Sequence, residues 1–218
     1  MFAARLQDVS HRFEPGWILL HVDWTLPEGG RALLTGDNGS GKTTLLRLLA
    51  TSLAPTHGRV SLFGQPAGPG VAAARRRLAL MTHAHFFYEA LSALDNLRLV
   101  ARLRCPKRLP ELPERLAEVG LLRHAAAPVA SFSAGMKRRL ALARVLLLEP
   151  ELVLWDEPFG QLDHHGVDLV EQVLDRLAER RTSWVLSTHD VLRGRRLATT
   201  RLHIEGAAAH SLSAKEAS

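Results

Sequence analysis

The amino-acid sequence predicts an α/β fold with a mostly parallel sheet. Two continuous apolar runs, "ELVLWDE" at 151–157 and "SWVLSTH" at 183–189, are typical of strands that are buried on both faces of such a sheet. A helical pattern at 166–180 lies between them, so the three segments predict a βαβ unit. A glycine-rich stretch, "GDNGSGKTT" at 36–44, stands between a predicted strand and a predicted helix, as in many nucleotide-binding α/β proteins.

The N-terminal elements follow from local patterns. Residues 5–10, 17–26 and 31–35 have strand-like apolar content, and "PG" and "PEGG" turns separate them. The stretch "GKTTLLRLLATSL" then shows helical spacing. Its apolar side is expected to consist of Leu45, Leu46, Leu49 and Leu53.

The middle and the end of the chain are assigned in the same way. Short strands are predicted at 58–64 ("GRVSLFG") and 77–82 ("RLALMT"). Residues 89–127 have a helical, Arg- and Leu-rich pattern that breaks at "CPKRLPELP". The last eight residues, 211–218, are expected to be frayed.

Composition places limits on the class of protein. A chain of 218 residues is expected to form one domain, and no apolar run approaches the length of a membrane span. The single Cys105 excludes an internal disulfide framework, and the charged N-terminus does not fit a signal peptide, so we expect a cytosolic protein. The net charge of +6 fits attraction to a nucleotide, a nucleic acid or an acidic lipid surface, but it equally fits solvated arginines.

The glycine-rich stretch predicts a phosphate-binding site. It matches G-x-x-x-x-G-K-[ST], in which glycines let consecutive N–H groups face inward at a helix N-terminus. Lys42 is expected to reach the β- and γ-phosphates, and the Thr43 hydroxyl to ligate Mg²⁺. The sequence therefore predicts binding of ATP or GTP. The expected binding residues are Gly36, Asp37, Asn38, Gly39, Ser40, Gly41, Lys42, Thr43 and Thr44.

Two carboxylates end the first apolar run. Asp156 is expected at the carboxyl end of its strand, where ligands bind in open α/β sheets, and there it can hold Mg²⁺ through water. Glu157 follows it directly and can orient and deprotonate an attacking water. We therefore expect Asp156 as a metal ligand and Glu157 as the general base.

The order of these motifs resembles the nucleotide-binding subunits of ATP-binding-cassette (ABC) transporters. The stretches "GDNGSGKTT", "FSAGM", "LVLWDEP", "GQLD" and "STHD" occur in the family's order, and the resemblance covers roughly residues 5 to 205. It implies a P-loop ABC ATPase domain over 1–218 that binds ATP and Mg²⁺. It further implies an N-terminal antiparallel β subdomain and an inserted α-helical subdomain at about 86–147.

The stretch "SFSAGMKRRLALAR" at 131–144 resembles the family's signature segment and the helix that follows it. By this resemblance Ser133, Ala134 and Gly135 meet the γ-phosphate of ATP on a second subunit, and two subunits enclose two nucleotides. Met136, Leu140, Ala143 and Leu147 form the expected apolar stripe, with Lys137, Arg138 and Arg139 facing solvent. A helix that reads DNA is the alternative. The rest of this helix is too apolar to lie in a DNA groove, so no nucleic-acid partner is expected.

Three further residues take roles from the resemblance. His189 lies 33 residues after Asp156 and matches the switch histidine that contacts the γ-phosphate. Asp163 in "GQLD" matches the acid that couples the two nucleotide sites. Phe13 is the expected aromatic partner of adenine, with Trp17 as the alternative, and either side chain could instead belong to the core.

One motif departs from the family pattern. The expected glutamine, which helps ligate Mg²⁺ and links the site to the membrane partner, is replaced by His83 or Ala84. A neutral imidazole suits Mg²⁺ less well than an amide oxygen. Either His83 hydrogen-bonds the water near the metal, or the loop serves coupling only.

The resemblance implies transmembrane permease subunits as partners, at the inner face of the cell membrane, and a homodimer or paired cassette for ATP hydrolysis. Among such subunits the chain is most similar to those of haem export for cytochrome c maturation. Drug or lipid export is an alternative. A soluble single-cassette ATPase of Fe–S cluster assembly is another, while the absence of a second cassette and of a coiled-coil insertion argues against translation and chromosome types.

Overall fold

The computed structural model describes most of the chain. The described residues are 1–68, 71–82, 86–160 and 162–213. The residues of the chain form two compact units, which we describe separately. The first unit comprises 1–82, 151–158 and 177–218, and the second comprises 83–150 and 159–176. The expectation of a single domain over 1–218, with a helical subdomain at about 86–147, stays a prediction.

The strands of the described residues belong to the first unit. They are β1 (Phe2–Phe13), β2 (Gly16–Pro27), β3 (Arg31–Gly36), β4 (His57–Leu62), β5 (Gln65–Pro66), β6 (Leu78–Met81), β7 (Leu152–Asp156), β8 (Ser183–Ser187), β9 (Thr200–Glu205) and β10 (Ala208–Ser213).

These strands form two sheets. An antiparallel sheet has the order β2-β1-β4-β5, and a larger sheet has the order β10-β9-β3-β8-β7-β6. All neighbours in the larger sheet are parallel except the β9–β10 hairpin. The predicted α/β class, with an N-terminal antiparallel sheet and a mostly parallel sheet, is confirmed.

The helices of the described residues are α1 (Lys42–Leu49), α2 (Val71–Arg76), α3 (Ala93–Arg104), α4 (Leu112–Glu118), α5 (Ala134–Leu148), α6 (His164–Glu179) and α7 (Val191–Leu197). The helices α3, α4 and α5 lie in the second unit, together with short 3₁₀ turns. Among all the described residues, no helix is both long enough and apolar enough to cross a membrane.

The two central strands of the larger sheet explain its apolar sequence. Every residue of β7 and of β8 is buried, as expected for strands that are covered on both faces. Full burial of each Val, Leu or Trp side chain contributes about 1.5–3 kcal/mol, so such strands anchor the fold. The register pairs Asp156 with Ser187 at the carboxyl ends of the two strands, which fixes the position of both side chains.

Two predictions of the sequence analysis are wrong in detail. The helix α1 ends at Leu49, so Leu53 lies outside it, because Thr51 takes a left-handed conformation with φ 56° that turns the chain. Residues 211–213 are not frayed but belong to β10, where Ser211 pairs with Leu202 and the strand obtains its backbone hydrogen bonds from β9.

An ion-pair network connects the start of α4 to its surroundings in the second unit. Arg108 donates to both carboxylate oxygens of Glu111, at 2.9 and 2.6 Å, and Arg115 donates to Glu111 Oε2 at 2.7 Å. Hydrogen bonds from Arg108, and then from Arg115, lower the pKa of Glu111 from 4.5 to about 2. The network therefore favours the ionised carboxylate in the folded state.

We expect Glu111→Gln to lower the free energy of unfolding by about 1 kcal/mol at pH 7, the upper end for partly exposed ion pairs. A depressed pKa contributes stability that is complete above the ordinary value and is lost as the pH falls toward the folded value. The difference between parent and variant should therefore shrink from pH 4.5 to pH 2 in urea denaturation. Glu114→Gln on the exposed side of α4 is the control. A difference that does not change with pH would contradict this account.

Candidate nucleotide-binding site

The loop between β3 and α1 has a backbone that requires glycine. Gly36, Gly39 and Gly41 have φ angles of 144°, 80° and 106°, which side chains rarely tolerate. A Cβ atom on Gly36 would lie 2.5 Å from the carbonyl oxygen of Ile204, and one on Gly41 would lie 2.8 Å from Ile18 Cγ2. Neighbouring strands thus leave no room for side chains at the two ends of the loop.

Positive charge is concentrated inside this loop. The Lys42 side chain folds back along it, and its ammonium donates to the carbonyl oxygens of Gly36 at 2.7 Å and Asp37 at 2.8 Å. The first intrahelical hydrogen bond of α1 runs from Leu45 N to Gly41 O, so the earlier N–H groups of the helix have no acceptor within it. An ammonium and a helix N-terminus together form a site for an anion such as phosphate.

A buried carboxylate lies beside the first turn of α1. Asp156, which is 5% exposed, accepts a hydrogen bond from Thr43 Oγ1 at 2.7 Å on one oxygen and from Ser187 Oγ at 2.5 Å on the other. Charge-assisted hydrogen bonds of this kind offset the cost of burying a carboxylate. The network connects α1, β7 and β8 through three side chains.

Glu157 follows in a left-handed conformation, with φ 51°. Its N–H donates to Ser187 O at 3.0 Å, and its side chain is 14% exposed. One carboxylate oxygen, Oε2, accepts from the backbone N–H of His189 at 3.3 Å. The other, Oε1, is buried and lies 3.4 Å from His189 Nε2, a distance that suits an ion pair but lacks the geometry of a hydrogen bond.

The donor atoms at this site suit a hard cation. The Thr43 hydroxyl and the Asp156 carboxylate are adjacent oxygen donors, and Mg²⁺ prefers one or two protein oxygens with water and substrate phosphates completing its shell. Within the described ranges, no group of three or more His, Cys, Asp or Glu side chains could hold a metal. The site therefore fits Mg²⁺ better than a metal with a full set of protein ligands.

The hairpin between β1 and β2 exposes two aromatic side chains. Phe13 is 45% exposed and lies against His11, with ring centroids 4.6 Å apart and an interplanar angle of 79°. Trp17 is 41% exposed, but its ring stacks on His57 at 6.0 Å and lies 5.7 Å from the Arg12 guanidinium. Phe13 therefore has fewer competing contacts than Trp17 in this hairpin.

In the second unit, Ser133 is the N-cap of α5. Its hydroxyl accepts from Met136 N at 3.2 Å, which satisfies one of the N–H groups at the start of the helix. Ser133 and Ala134 are exposed, and a Cβ on Gly135 would meet only Ser133 Oγ, at 3.9 Å. These three residues thus present an accessible helix N-terminus.

The prediction that the basic residues at the start of α5 face solvent is wrong for Arg138, whereas Lys137 and Arg139 are partly exposed. Arg138 is only 8% exposed, because the helix is buried on most sides. Lys137 pairs with Glu89 at 2.5 Å, and Arg139 lies 4.0 Å from Asp163 Oδ1. Lys137 and Arg139 thus pair with carboxylates of the second unit.

The remaining predicted residues are partly described. Asp163 Oδ1 accepts from Gly166 N at 2.7 Å at the beginning of α6, which starts at His164, two residues before the predicted helix. His83 and Ala84, the candidates for the glutamine position, lie outside the described residues. The first unit thus brings together the phosphate loop, Asp156, Glu157 and His189, whereas Ser133, Ala134, Gly135 and Asp163 belong to the second.

Ser187 is a site residue that was not predicted from the sequence. Its side chain is fully buried between Asp156 and the backbone of Glu157. A signal was present, since Ser187 and Asp156 both end apolar runs, and the carboxyl ends of adjacent parallel strands lie at one edge of a sheet. The pairing of those two runs could not be read from either of them alone.

Comparisons with known proteins agree on one family. The model of a family described as "ABC transporter" matches residues 19–160. The "Cytochrome c biogenesis ATP-binding export protein CcmA" of Pseudomonas fluorescens is 40% identical over 172 residues, which cover 79% of this chain and 82% of the relative.

Two solved structures share the fold. The first, an ATP-binding subunit of an ABC transporter, has a TM-score of 0.88 and 26% identity, and the match covers 96% of this chain and 90% of that one. The second is an ATP-binding cassette in a dimeric post-hydrolysis state bound to ADP and Pi. It has a TM-score of 0.88 and 23% identity, with 97% and 99% of the two chains covered.

Proposed function

The chain belongs to the ABC transporter family, and we propose that it hydrolyses ATP with Thr43 and Asp156 as ligands of Mg²⁺ and Glu157 as general base. The observation that carries this proposal is the hydrogen-bonded group of Thr43, Asp156 and Ser187. It fixes two oxygen donors at the N-terminus of α1, and Glu157 follows directly in the chain.

The phosphates are bound by the loop between β3 and α1. The N–H groups at the start of α1 and the Lys42 ammonium supply positive charge without a rearrangement of the backbone. When the phosphates bind, Lys42 exchanges its carbonyl acceptors in the loop for phosphate oxygens, which are stronger acceptors because they carry charge. The bound Mg²⁺ would neutralise charge on the phosphate oxygens.

Glu157 acts as the base on the attacking water. Its left-handed backbone turns the side chain away from that of Asp156, and the contact with His189 N holds one carboxylate oxygen. We assign the other oxygen, Oε1, which has no hydrogen-bond partner among the described residues, to accept the proton of a water bound beside it with the nucleotide. We assign His189, which lies 3.4 Å from the same oxygen, to the γ-phosphate, where it stabilises this arrangement.

The base of the nucleotide stacks on Phe13. An exposed aromatic ring offers a face for stacking, and Phe13 lies in the hairpin whose residue Ile18 contacts the phosphate loop. Trp17 is the weaker candidate because His57 and Arg12 already contact its ring.

Hydrolysis takes place between two subunits. Cassettes of this family work as dimers, and a structural neighbour is itself dimeric with ADP and Pi bound. We assign Ser133, Ala134 and Gly135 to the γ-phosphate of the partner's ATP, since they form an exposed helix N-terminus. Asp163 couples the two sites, and either His83 or Ala84 stands where the family has its glutamine.

The transported substrate is haem for cytochrome c maturation. The support is the name of relatives at 36–40% identity, which are cytochrome c biogenesis ATP-binding export proteins. Separate permease subunits provide the membrane passage, and this chain works at the inner face of the membrane. No feature of the described residues favours drug or lipid export or Fe–S cluster assembly over this assignment.

We expect Glu157→Gln to bind ATP as the parent does but to hydrolyse it at least about 100-fold more slowly, because an amide cannot accept the proton of the attacking water. The measurements are the ATPase rate and size-exclusion chromatography with ATP and Mg²⁺, in which the variant should run as a dimer. Glu205→Gln, an exposed change in β9, should behave as the parent. Hydrolysis by Glu157→Gln at the parental rate would remove Glu157 from the mechanism.

We expect Ser133→Arg to reduce hydrolysis by about 10²-fold or more while ATP binding to the monomer stays the same, because the larger cation fills the space where the partner's γ-phosphate docks. Ser131→Arg places the same charge two residues earlier, at an exposed position outside α5, and serves as the matched control. Thermal unfolding of both variants checks that loss of the N-cap has not unfolded the helix. Parental activity in Ser133→Arg, or loss of monomer binding in it, would contradict action across the dimer.

A further inference from the structure

His11 is a buried histidine whose ring nitrogens have no hydrogen-bond partner among the described residues. The residue is 6% exposed, and both ring nitrogens are buried with no hydrogen bond to any part of the chain that the structure describes. A buried polar group in this state lowers the stability of the fold, and such groups in native proteins are rare enough to need an explanation. An apolar side chain of similar size would serve better if packing were the only role.

The position of His11 connects it to the nucleotide site. His11 in β1 lies directly opposite Leu19 in β2, and directly opposite residues of antiparallel strands have their side chains on the same face. Leu19 Cδ2 lies 3.4 Å from the place a Cβ would occupy on Gly41, and Ile18 Cγ2 lies 2.8 Å from it. The imidazole is therefore one strand away from the phosphate-binding loop.

Phe13 contacts the imidazole of His11 at the turn end of the hairpin. The two rings are in edge-to-face contact, with centroids 4.6 Å apart. Phe13 lies opposite Gly16. A Cβ atom placed on Gly16 would have no described atom within 4 Å. Space for a flat ring thus adjoins Phe13, and a partly exposed side chain such as Phe13 changes rotamer readily.

We propose that His11 is a base-binding residue whose imidazole hydrogen-bonds the edge of the purine that stacks on Phe13; this rests on the function proposed above. A neutral imidazole has one donor and one acceptor. The edge of adenine offers both an amino donor and ring-nitrogen acceptors, so it satisfies either tautomer of His11. A phosphate chain without a base makes no such contact, and this difference allows the contribution of His11 to be isolated.

The test compares His11→Phe with the parent in calorimetric titrations with ATP and with tripolyphosphate. We expect the dissociation constant for ATP to rise about fivefold, the value of one hydrogen bond, and that for tripolyphosphate to stay the same. The melting temperature of the nucleotide-free variant should rise, because the change removes two buried polar atoms that lack partners. A histidine with a packing role alone would leave the affinity for ATP unchanged.

Three further variants keep the test decisive. His11→Leu removes the same nitrogens at nearly the same volume and is used if the larger ring disturbs the sheet. His57→Phe replaces a histidine in β4 that contacts Trp17 instead of Phe13, and it should bind ATP as the parent does. Lys42→Ala should lose both ligands, and if it keeps both, the proposed phosphate site is wrong. Suppose instead that Lys42→Ala loses both ATP and tripolyphosphate. The role of His11 alone is then overturned if the His11 variants bind ATP as the parent does. It is also overturned if they lose affinity for tripolyphosphate as well as for ATP.

Discussion

The site depends on one buried carboxylate. Asp156 is held by hydroxyl groups from α1 and β8 while it ends β7, so three elements that are far apart in the chain meet at two oxygen atoms. Burying a carboxylate away from water is costly, and the hydrogen bonds on both oxygens offset that cost. Any change that separates these elements therefore removes the donors that keep Asp156 in place.

The register of the parallel sheet also determines where the residues beside this carboxylate lie. Asp156 pairs with Ser187 at the ends of their strands, and Ser187 also accepts the N–H of Glu157. Glu157 directly follows β7 and His189 is the second residue after β8, so the pairing of these strands brings the two side chains close together. Glu157 Oε1 lies 3.4 Å from His189 Nε2. The phosphate loop needs no such support from distant side chains, because its glycines and the start of α1 shape it locally.

Local patterns predicted the parts of this protein that local physics determines. Continuous apolar runs predicted β7 and β8, and the glycine spacing predicted the phosphate loop, since each pattern is complete within one segment. Ser187 and His11 could not be assigned in this way, because their surroundings are created by strand pairing. The same limit explains Arg138, which looks solvated in sequence and is buried in the structure, and it explains β10, which owes its order to β9.

The most direct test of the account is the Mg²⁺ dependence of ATP binding in Asp156→Asn. The amide keeps the size of the side chain but removes the charge that favours a divalent cation. We expect the parent to bind ATP more tightly with Mg²⁺ than with EDTA in calorimetric titrations, and the variant to bind with the same affinity in both. A variant that keeps the full effect of Mg²⁺ would contradict the assignment of Asp156, and with it the role given to the buried network.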